Sequence, residues 1–514
     1  MGKNARVTSR RDVLKVGAAA IGGLALGACG STSASGPPKK PPRGVPALAA
    51  MQSPAMIEEN LRAGDVVWSY GGATPQGALE GFFDRTSTVR GETATIYVNS
   101  QRAFRIEAYR MGYYGGAGGR LVATTKLLAG GAQPPAAVDT ALGTVSCHWR
   151  PSWRFEIDER FVPGCYLFKL VADNGWMQWV PLTVRDATPG APFLAINSVT
   201  TWQAYNPWGG WSLYNGPTGR ADVVSFDRPY ELGLGQSNFL FNELPLVYQM
   251  ERLGLDVQYW TDIDLHERGA ELTSFKSMFS LGHDEYWSWP MRAAAVAARD
   301  VGVNLAFLGS NFVYRQIRLE PTELGADRLM VNYRSTADPI YATDPKLTTV
   351  NWGSPPVSMP ESEIAGSIYD GFETPSATWD FRVVDAASWF WDGTGVSEHT
   401  RLRNMERNEF NRFDPYSSLA SRVQLLGHSP VGNGSYSDAT YVTVPSGAGV
   451  LSTGTSTWIY AMQDGTQLPA TVMAPAIPGV TNVVLRATEN LYELFGKGPA
   501  ATTEPSQPNT SRYY

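Results

Sequence analysis

The sequence predicts a mixed protein with two folded parts, an all-β domain followed by an α/β domain built on a doubly wound, mostly parallel sheet. Short strand-like segments of alternating polarity fill residues 60–188. From residue 189, apolar runs that end in polar residues alternate with helical patterns. The chain has 514 residues, of which 43% are hydrophobic and 18% charged, so it is long enough for two domains. Its net charge of -6 provides no basic surface, and we expect no nucleic-acid partner.

The N-terminus has the features of an export signal over residues 1–29. Residues 9–14, Ser-Arg-Arg-Asp-Val-Leu, fit a twin-arginine pattern, and a short apolar segment follows from residue 16 to residue 28. The sequence Leu-Gly-Ala-Cys at 26–29 is typical of a lipoprotein processing site. We therefore expect the twin-arginine machinery to export the chain and lipidated Cys29 to anchor it to the outer face of the cytoplasmic membrane. Residues 30–59 are expected to be a flexible linker.

The predicted β domain, residues 60–188, contains five strand-like segments separated by Gly, Pro and Asp, which favours an Ig-like sandwich. Cys147 and Cys165 both lie beside such segments. A disulfide between them stays open, because an oxidising compartment permits one and the sequence does not require it. Neither cysteine follows a strand-to-helix turn, so we expect neither to be a nucleophile.

The α/β domain is predicted over residues 189–496, after a Pro- and Gly-rich boundary at 186–192. Strands are expected at 193–197, 257–260, 277–282 and 303–308, with helices at 241–253 and after residue 289. Residues 335–435 lack this rhythm and are expected to form an irregular insertion. Strands near 439–444 and 449–455 and a helix at 480–495 would complete the domain, and residues 497–514 would be a polar tail.

Polar residues follow two of these predicted strands, in the motif Gly-His-Asp-Glu-Tyr-Trp at 282–287 and at Asn311. In open parallel sheets, ligands bind beyond the carboxyl ends of the strands. His283 and Glu285 are two residues apart, so they point to the same side of an extended backbone. A histidine and a carboxylate together suit metal binding or acid–base chemistry. The alternative is structural, with Asp284 capping the following helix.

These motifs, together with Leu-Gly-Ser-Asn at 308–311 and Gly-Ala-Gly-Val at 447–450 leading to Trp458, resemble the C-terminal domain of the N,N-dimethylformamidase large (beta) subunit family. The resemblance covers roughly residues 190–495. It implies a doubly wound fold of the flavodoxin-like or glutamine-amidotransferase-like kind. It also implies a single iron ion, bound by two tyrosines and one glutamate, that hydrolyses a small amide.

Carried over by position, the resemblance makes Glu285 a metal ligand and places His283 and Asn311 in the pocket. Tyr205 is the expected first tyrosine ligand, and Tyr166 is the candidate for the second. A further acidic residue of the pocket is expected at Glu409.

The chain departs from the family at Asp284, where proline is usual, and at Phe312, where glycine is frequent, which leaves the substrate open.

The first hypothesis is an iron-dependent hydrolase of a C–N bond in a small, linear amide-like substrate. A second is a non-catalytic surface protein that binds glycan or cell-wall material through Trp202, Trp208 and Trp211. A third is a metal-free hydrolase with Asp284 and Glu285 as its carboxylate pair, although adjacent residues at a strand end point apart. Self-association into a homo-oligomer stays open.

Overall fold

The structure is a computed structural model that describes residues 46–72, 74–231, 238–372, 377–463 and 477–514. The predicted export signal and Cys29 lie outside the described residues. The helices are α1 (Pro54–Asn60), α2 (Val199–Tyr205), α3 (Leu244–Arg252), α4 (Asp262–Arg268), α5 (Trp289–Arg299), α6 (Ser362–Ala365) and α7 (Thr481–Phe495). Within the described ranges, no helix is long and apolar enough to cross a bilayer.

The first domain is a two-layer arrangement of antiparallel strands. Its strands are β1 (Leu79–Phe83), β2 (Ser87–Val89), β3 (Thr93–Ser100), β4 (Phe104–Met111), β5 (Gly119–Thr124), β6 (Ala137–Asp139), β7 (Thr144–Ser146), β8 (Trp153–Glu156), β9 (Gly164–Ala172) and β10 (Met177–Arg185). One sheet has the order β1-β3-β8 and the other the order β2-β10-β9-β4-β5, with only the β2–β10 pair parallel. Side chains from both sheets share one apolar core, where the rings of Phe83 and Phe168 meet 4.8 Å apart. The all-β character predicted for this part is confirmed, and its Ig-like type stays a prediction.

The second domain contains a sheet of seven strands. The remaining strands are β11 (Phe193–Asn197), β12 (Val223–Ser225), β13 (Val257–Thr261), β14 (Ser277–Gly282), β15 (Tyr286–Ser288), β16 (Asn304–Gly309), β17 (Arg315–Thr322), β18 (Gly325–Val331), β19 (Ser367–Phe372), β20 (Trp379–Arg382), β21 (Arg401–Glu406), β22 (Glu409–Phe413), β23 (Gln424–Pro430), β24 (Tyr436–Thr443) and β25 (Gly449–Ser452). The sheet order is β13-β11-β14-β16-β25-β24-β23. Its first five strands are parallel, and β24 and β23 continue it antiparallel.

Helices cover both faces of this sheet. Alternate residues of β11, β14 and β16 pack on one face against α3 and α7, and the intervening residues pack on the other face against α4 and α5. The chain runs from β11 to β13 on one side and then returns to β14 on the other, so the strand order reverses between β11 and β14. At such a reversal the connections diverge and leave a crevice at the carboxyl ends of the strands.

Two boundaries in the structure differ from the predicted ones. The chain is folded from residue 46, because Leu48 is fully buried and Ser53 N donates a 2.9 Å hydrogen bond to Gly254 O, so the predicted linker of 30–59 shortens. The residues predicted as a polar tail are docked: Asn509 exchanges two hydrogen bonds with the Leu425 backbone on edge strand β23. Covering an edge strand in this way removes a site for pairing with other chains.

The predicted insertion, residues 335–435, is less separate than expected. It contains the strand pairs β19–β22 and β20–β21, but its last strand, β23, already belongs to the main sheet. The isolated pairs share no periodic pattern with the sheet, which explains why the sequence looks irregular here.

The two cysteines in the described part of the chain, Cys147 and Cys165, are both buried and free. Burial raises the pKa of each thiol.

A candidate metal site beyond the strand ends

The polar residues that follow β14 and β16 meet beyond the carboxyl ends of these strands. Gly282 and Gly309 end these strands as register partners, and a Cβ on Gly309 would lie 1.5 Å from Gly282 O. Only glycine permits this close approach. The close approach brings the segment after β14, with His283 and Glu285, next to Asn311 after β16.

Glu285 is fully buried, and its two carboxylate oxygens have different partners. Oε1 accepts a 3.3 Å hydrogen bond from Arg315 Nε. Oε2 lies 2.9 Å from the Tyr205 hydroxyl and 2.7 Å from the Tyr214 hydroxyl. The backbone N–H of Glu285 donates to Thr201 Oγ1 at 3.0 Å. The carboxylate is therefore held with one oxygen toward two phenols.

The two phenols form a compact pair at the end of α2 and in the loop that follows. The Tyr205 and Tyr214 hydroxyls are 2.9 Å apart, and their rings stack with centroids 4.4 Å apart. The Tyr286 hydroxyl donates to the Tyr214 hydroxyl at 2.7 Å. Burial, followed by the charge of Glu285, raises the pKa of Tyr205 well above its ordinary value. Three oxygen atoms, two phenolic and one carboxylic, thus converge within 2.9 Å of one another.

A second group of polar side chains adjoins these oxygens. His283 Nε2 lies 3.0 Å from Glu409 Oε2 and 3.5 Å from Glu285 Oε2. Asn311 Nδ2 donates to Glu409 Oε1 at 3.1 Å. Burial lowers the pKa of His283, but the Glu409 and Glu285 carboxylates overcome this effect and raise it to about 10. The two carboxylates therefore favour the protonated form of the His283 imidazole, whose side chain is 14% exposed.

Asn311 is held in an unusual conformation with a φ of 54°. Asparagine is one of the few side chains that enter this left-handed region at low cost. Its backbone N–H donates to Asn411 Oδ1 at 2.7 Å. Its own Oδ1 is buried and has no hydrogen-bond partner among the described residues. A buried polar atom of this kind favours a bound water or ligand.

The structure does not bring Tyr166 to the site. Its hydroxyl donates to Val162 O at 2.7 Å, and its ring packs with Phe161 and Phe168 in the sandwich core. Tyr214, which no sequence motif marks, lies beside Glu285 instead. Its one sequence signal was proximity, since it lies nine residues after Tyr205 in the same aromatic loop.

The residues on which the two alternative functions depend are not arranged to carry out those functions. Trp202, Trp208 and Trp211 are 3%, 9% and 5% exposed, so they offer no aromatic surface for a glycan. Asp284 points away from Glu285 and accepts 2.7 Å hydrogen bonds from Ser280 Oγ and Trp287 Nε1. The cap of α5 is Ser288 rather than Asp284.

Within the described ranges, no group of three or more His, Cys, Asp or Glu side chains is arranged to hold a metal ion. The oxygen cluster has a different composition, because two of its three members are tyrosines. Tyr205, Tyr214 and Glu285 offer hard oxygen donors, the type that suits highly charged, hard cations.

Comparison with known proteins supports the resemblance seen in the motifs. The model of the family described as N,N-dimethylformamidase beta subunit-like, C-terminal, matches residues 105–470. The match begins inside the β domain, so it extends further toward the N-terminus than the motifs alone indicated. No curated protein matches the chain.

Proposed function

The chain belongs to the N,N-dimethylformamidase beta subunit-like, C-terminal family, and we propose that it is an exported hydrolase that cleaves an amide C–N bond with the help of one iron ion. Family membership supports the hydrolase class. The observation that carries the iron proposal is the convergence of Tyr205, Tyr214 and Glu285 oxygens within 2.7–2.9 Å of one another.

These residues fit a trivalent iron by their chemistry. Phenolate and carboxylate oxygens are hard, anionic donors, which a soft metal would not select. Oxygens about 3 Å apart can share one cation with bonds on the order of 2 Å, near the distances seen for other hard cations. Tyr214 takes the place that the sequence assigned to Tyr166. When bound, iron would supply Lewis acidity, which polarises an amide carbonyl and acidifies water.

The remaining side chains have separable roles. Arg315 fixes Glu285 through Oε1 and leaves Oε2 for the cluster. His283 holds a proton between two carboxylates, where it can protonate the departing amine nitrogen. Glu409 can accept a proton from the attacking water. Asn311 orients Glu409 through Nδ2 and can offer Oδ1, which has no hydrogen-bond partner among the described residues, to an amide N–H or to water.

Metal analysis of the purified mature protein, combined with a screen of amide hydrolysis, tests the proposal. We expect stoichiometric iron and a visible phenolate-to-iron absorption band in the wild type. Glu285→Ala and Tyr214→Phe should lose both. Tyr166→Phe is the matched control and should keep both, because its hydroxyl donates to Val162 O within the β domain, away from Glu285. A wild type without iron and without the band would rule out the metal assignment.

We also propose that the protein works outside the cytoplasm, anchored by lipid at Cys29. The supporting observation is the order of the twin-arginine motif, apolar segment and processing site over residues 9–29. Export of the folded chain would let iron enter in the cytoplasm. A Cys29→Ser variant should move from the membrane fraction to the soluble fraction, and replacement of both Arg10 and Arg11 by Lys should keep the precursor in the cytoplasm. Membrane association unchanged by Cys29→Ser would contradict the anchor.

A further inference from the structure

Three guanidinium groups lie close enough to Tyr286 to interact with it electrostatically, and only two of them have a carboxylate partner among the described residues. Arg315 pairs with Glu285 at 3.3 Å, and Arg220 pairs with Asp222 at 2.8 Å. Arg334 forms no ion pair with a carboxylate anywhere in the part of the chain that the structure describes. Among the described residues, the cluster therefore carries one positive charge without a carboxylate partner.

Arg334 is held firmly, but its guanidinium keeps capacity to donate further hydrogen bonds. Its backbone N–H donates to Thr349 O at 2.7 Å, and its φ is 57°. Nε donates to Asn332 Oδ1 and Nη2 donates to the Tyr286 hydroxyl, both at 2.9 Å. Nη1 makes no hydrogen bond among the described residues, and the side chain is half-buried rather than enclosed. The edge formed by Nη1 and Nη2 is the one that binds a carboxylate through two parallel hydrogen bonds.

The Nη1–Nη2 edge is close to the proposed metal ligands. The Arg334 guanidinium lies over the Tyr214 ring, 4.7 Å from its centroid. Arg334 Nη2 and the Tyr214 hydroxyl share the Tyr286 hydroxyl as a neighbour, at 2.9 and 2.7 Å, so their separation is no greater than these two lengths together. A small molecule whose amide is at Tyr205 and Tyr214 can therefore place a group a few atoms away beside Arg334.

We propose that Arg334 binds a carboxylate carried by the substrate, which makes the substrate an N-acyl amino acid or a similar carboxylate-bearing amide rather than a neutral dialkylformamide. The inference rests on the proposed function and names its substrate class. In the reaction, water oxygen bonds to the acyl carbon, the C–N bond breaks, and the nitrogen takes up a proton. The products are a carboxylate and a free amino acid.

The charges around Arg334 favour such a substrate. The nearby carboxylates of Glu285 and Asp222 are already paired, so an incoming carboxylate meets an unpaired cation rather than a competitor. A charge-assisted hydrogen-bond pair in a half-buried site should tighten binding about tenfold or more. A neutral amide would leave Arg334 solvated and gain none of this.

A binding experiment with two matched probes tests the inference without relying on turnover. N-formylglycine carries the carboxylate, and N-formylglycinamide has the same shape without the charge. Calorimetry on the purified protein, both iron-loaded and metal-free, should show about tenfold tighter binding of N-formylglycine, and added salt should weaken only that binding. Arg334→Met should remove the preference, and Arg334→Lys should restore part of it. Arg154→Met, exposed on β8, is the control and should keep the preference.

Equal affinity for the two probes, tighter binding of the neutral one, or no binding of either would overturn the inference. So would an Arg334→Met variant that loses the iron absorption band but keeps the charge preference, because Arg334 would then only support Tyr286 and Tyr214. Failure of the proposed function looks different. If the protein lacks iron and hydrolysis but still prefers N-formylglycine through Arg334, the proposed function fails and the carboxylate site stands. If the protein hydrolyses amides with iron but shows no charge preference, only the carboxylate site is excluded.

Discussion

The ion pair between Arg110 and Glu251 should be among the most sensitive positions in the fold, although it lies away from the candidate site. Arg110 belongs to β4 of the sandwich and Glu251 to α3 of the sheet domain, and both side chains are fully buried. Two parallel hydrogen bonds of 2.7 and 2.9 Å join them. Asn60 of α1 and the Tyr259 hydroxyl also donate to the same carboxylate. One carboxylate thus connects three parts of the chain.

Glu251→Gln should destabilise the protein strongly. Every group around the carboxylate is a donor, so the amide nitrogen of glutamine must face another donor, and Arg110 keeps a buried charge without a counterion. Removing one partner of a buried ion pair costs roughly 3–5 kcal/mol. At about 2–4 °C per kcal/mol for a large domain, the melting temperature should fall by ~10 °C.

Thermal and urea denaturation, followed by circular dichroism, measure this change. The control is Asp158→Asn, which breaks the exposed pair between Asp158 and Arg160 and should change stability by less than about 1 kcal/mol. The double variant Arg110→Met/Glu251→Gln should cost less than the two single variants added together, because no unpaired charge remains. If Glu251→Gln shifts the transition no further than Asp158→Asn does, the buried pair does not join the domains as argued.

Three further predictions concern the strand ends, a buried acid and the C-terminus. Gly309→Ala should yield little soluble protein, because its Cβ would lie 1.5 Å from Gly282 O, whereas Gly131→Ala has no atom within 4 Å and should be soluble; equal yields would contradict the close approach. Burial raises the pKa of Glu243 to about 8, above its unfolded value of about 4.3, so its contribution to stability is present below that lower value and is lost as the pH rises toward 8. The free energy of unfolding should therefore fall more steeply with rising pH in the wild type than in Glu243→Gln, by up to a few kcal/mol, and parallel pH profiles in urea denaturation would exclude the shift. Asn509→Ala removes two hydrogen bonds to edge strand β23 and should cost about 1–3 kcal/mol in thermal denaturation, while an unchanged transition would show that the C-terminal residues do not stabilise the sheet.

The parallel part of the sheet could be predicted because its signals are local. The strand predicted at 193–197 is found at Phe193–Asn197, and the strand predicted at 277–282 is found at Ser277–Gly282. Buried strands bounded by polar turns can be recognised from the sequence alone. The helix predicted at 241–253 is less regular than expected. Phe239–Glu243 forms a π-helix, and α3 follows it from Leu244, with Pro245 in its first turn. The docking of the C-terminus on β23 had no local signal, since it depends on side chains far apart in sequence.

The residues of the candidate site also differ in whether the sequence alone could predict their positions. His283, Glu285 and Asn311 follow strands, so the geometry of a parallel sheet was enough to bring them together. Tyr214 lies in a loop without periodicity, and its position is set by ring stacking on Tyr205 and by the bond to Glu285. Nothing in the sequence separates it from the other aromatic residues nearby. Tyr166 lies on a strand whose sequence context fits the sandwich core, and its ring packs there.

Asp284, the extra carboxylate of the motif, contacts the residues that hold the site in place and does not face the tyrosines. His283 and Glu285 point toward the tyrosines, and the residue between them points to the opposite side, as alternation in an extended segment requires. There Asp284 accepts hydrogen bonds from Ser280 and Trp287, and burial raises its pKa to about 6. A proline at this position would make neither bond. We therefore expect the departure at Asp284 to alter how rigidly Glu285 is held, and we expect Arg334 to select the charge that the substrate carries.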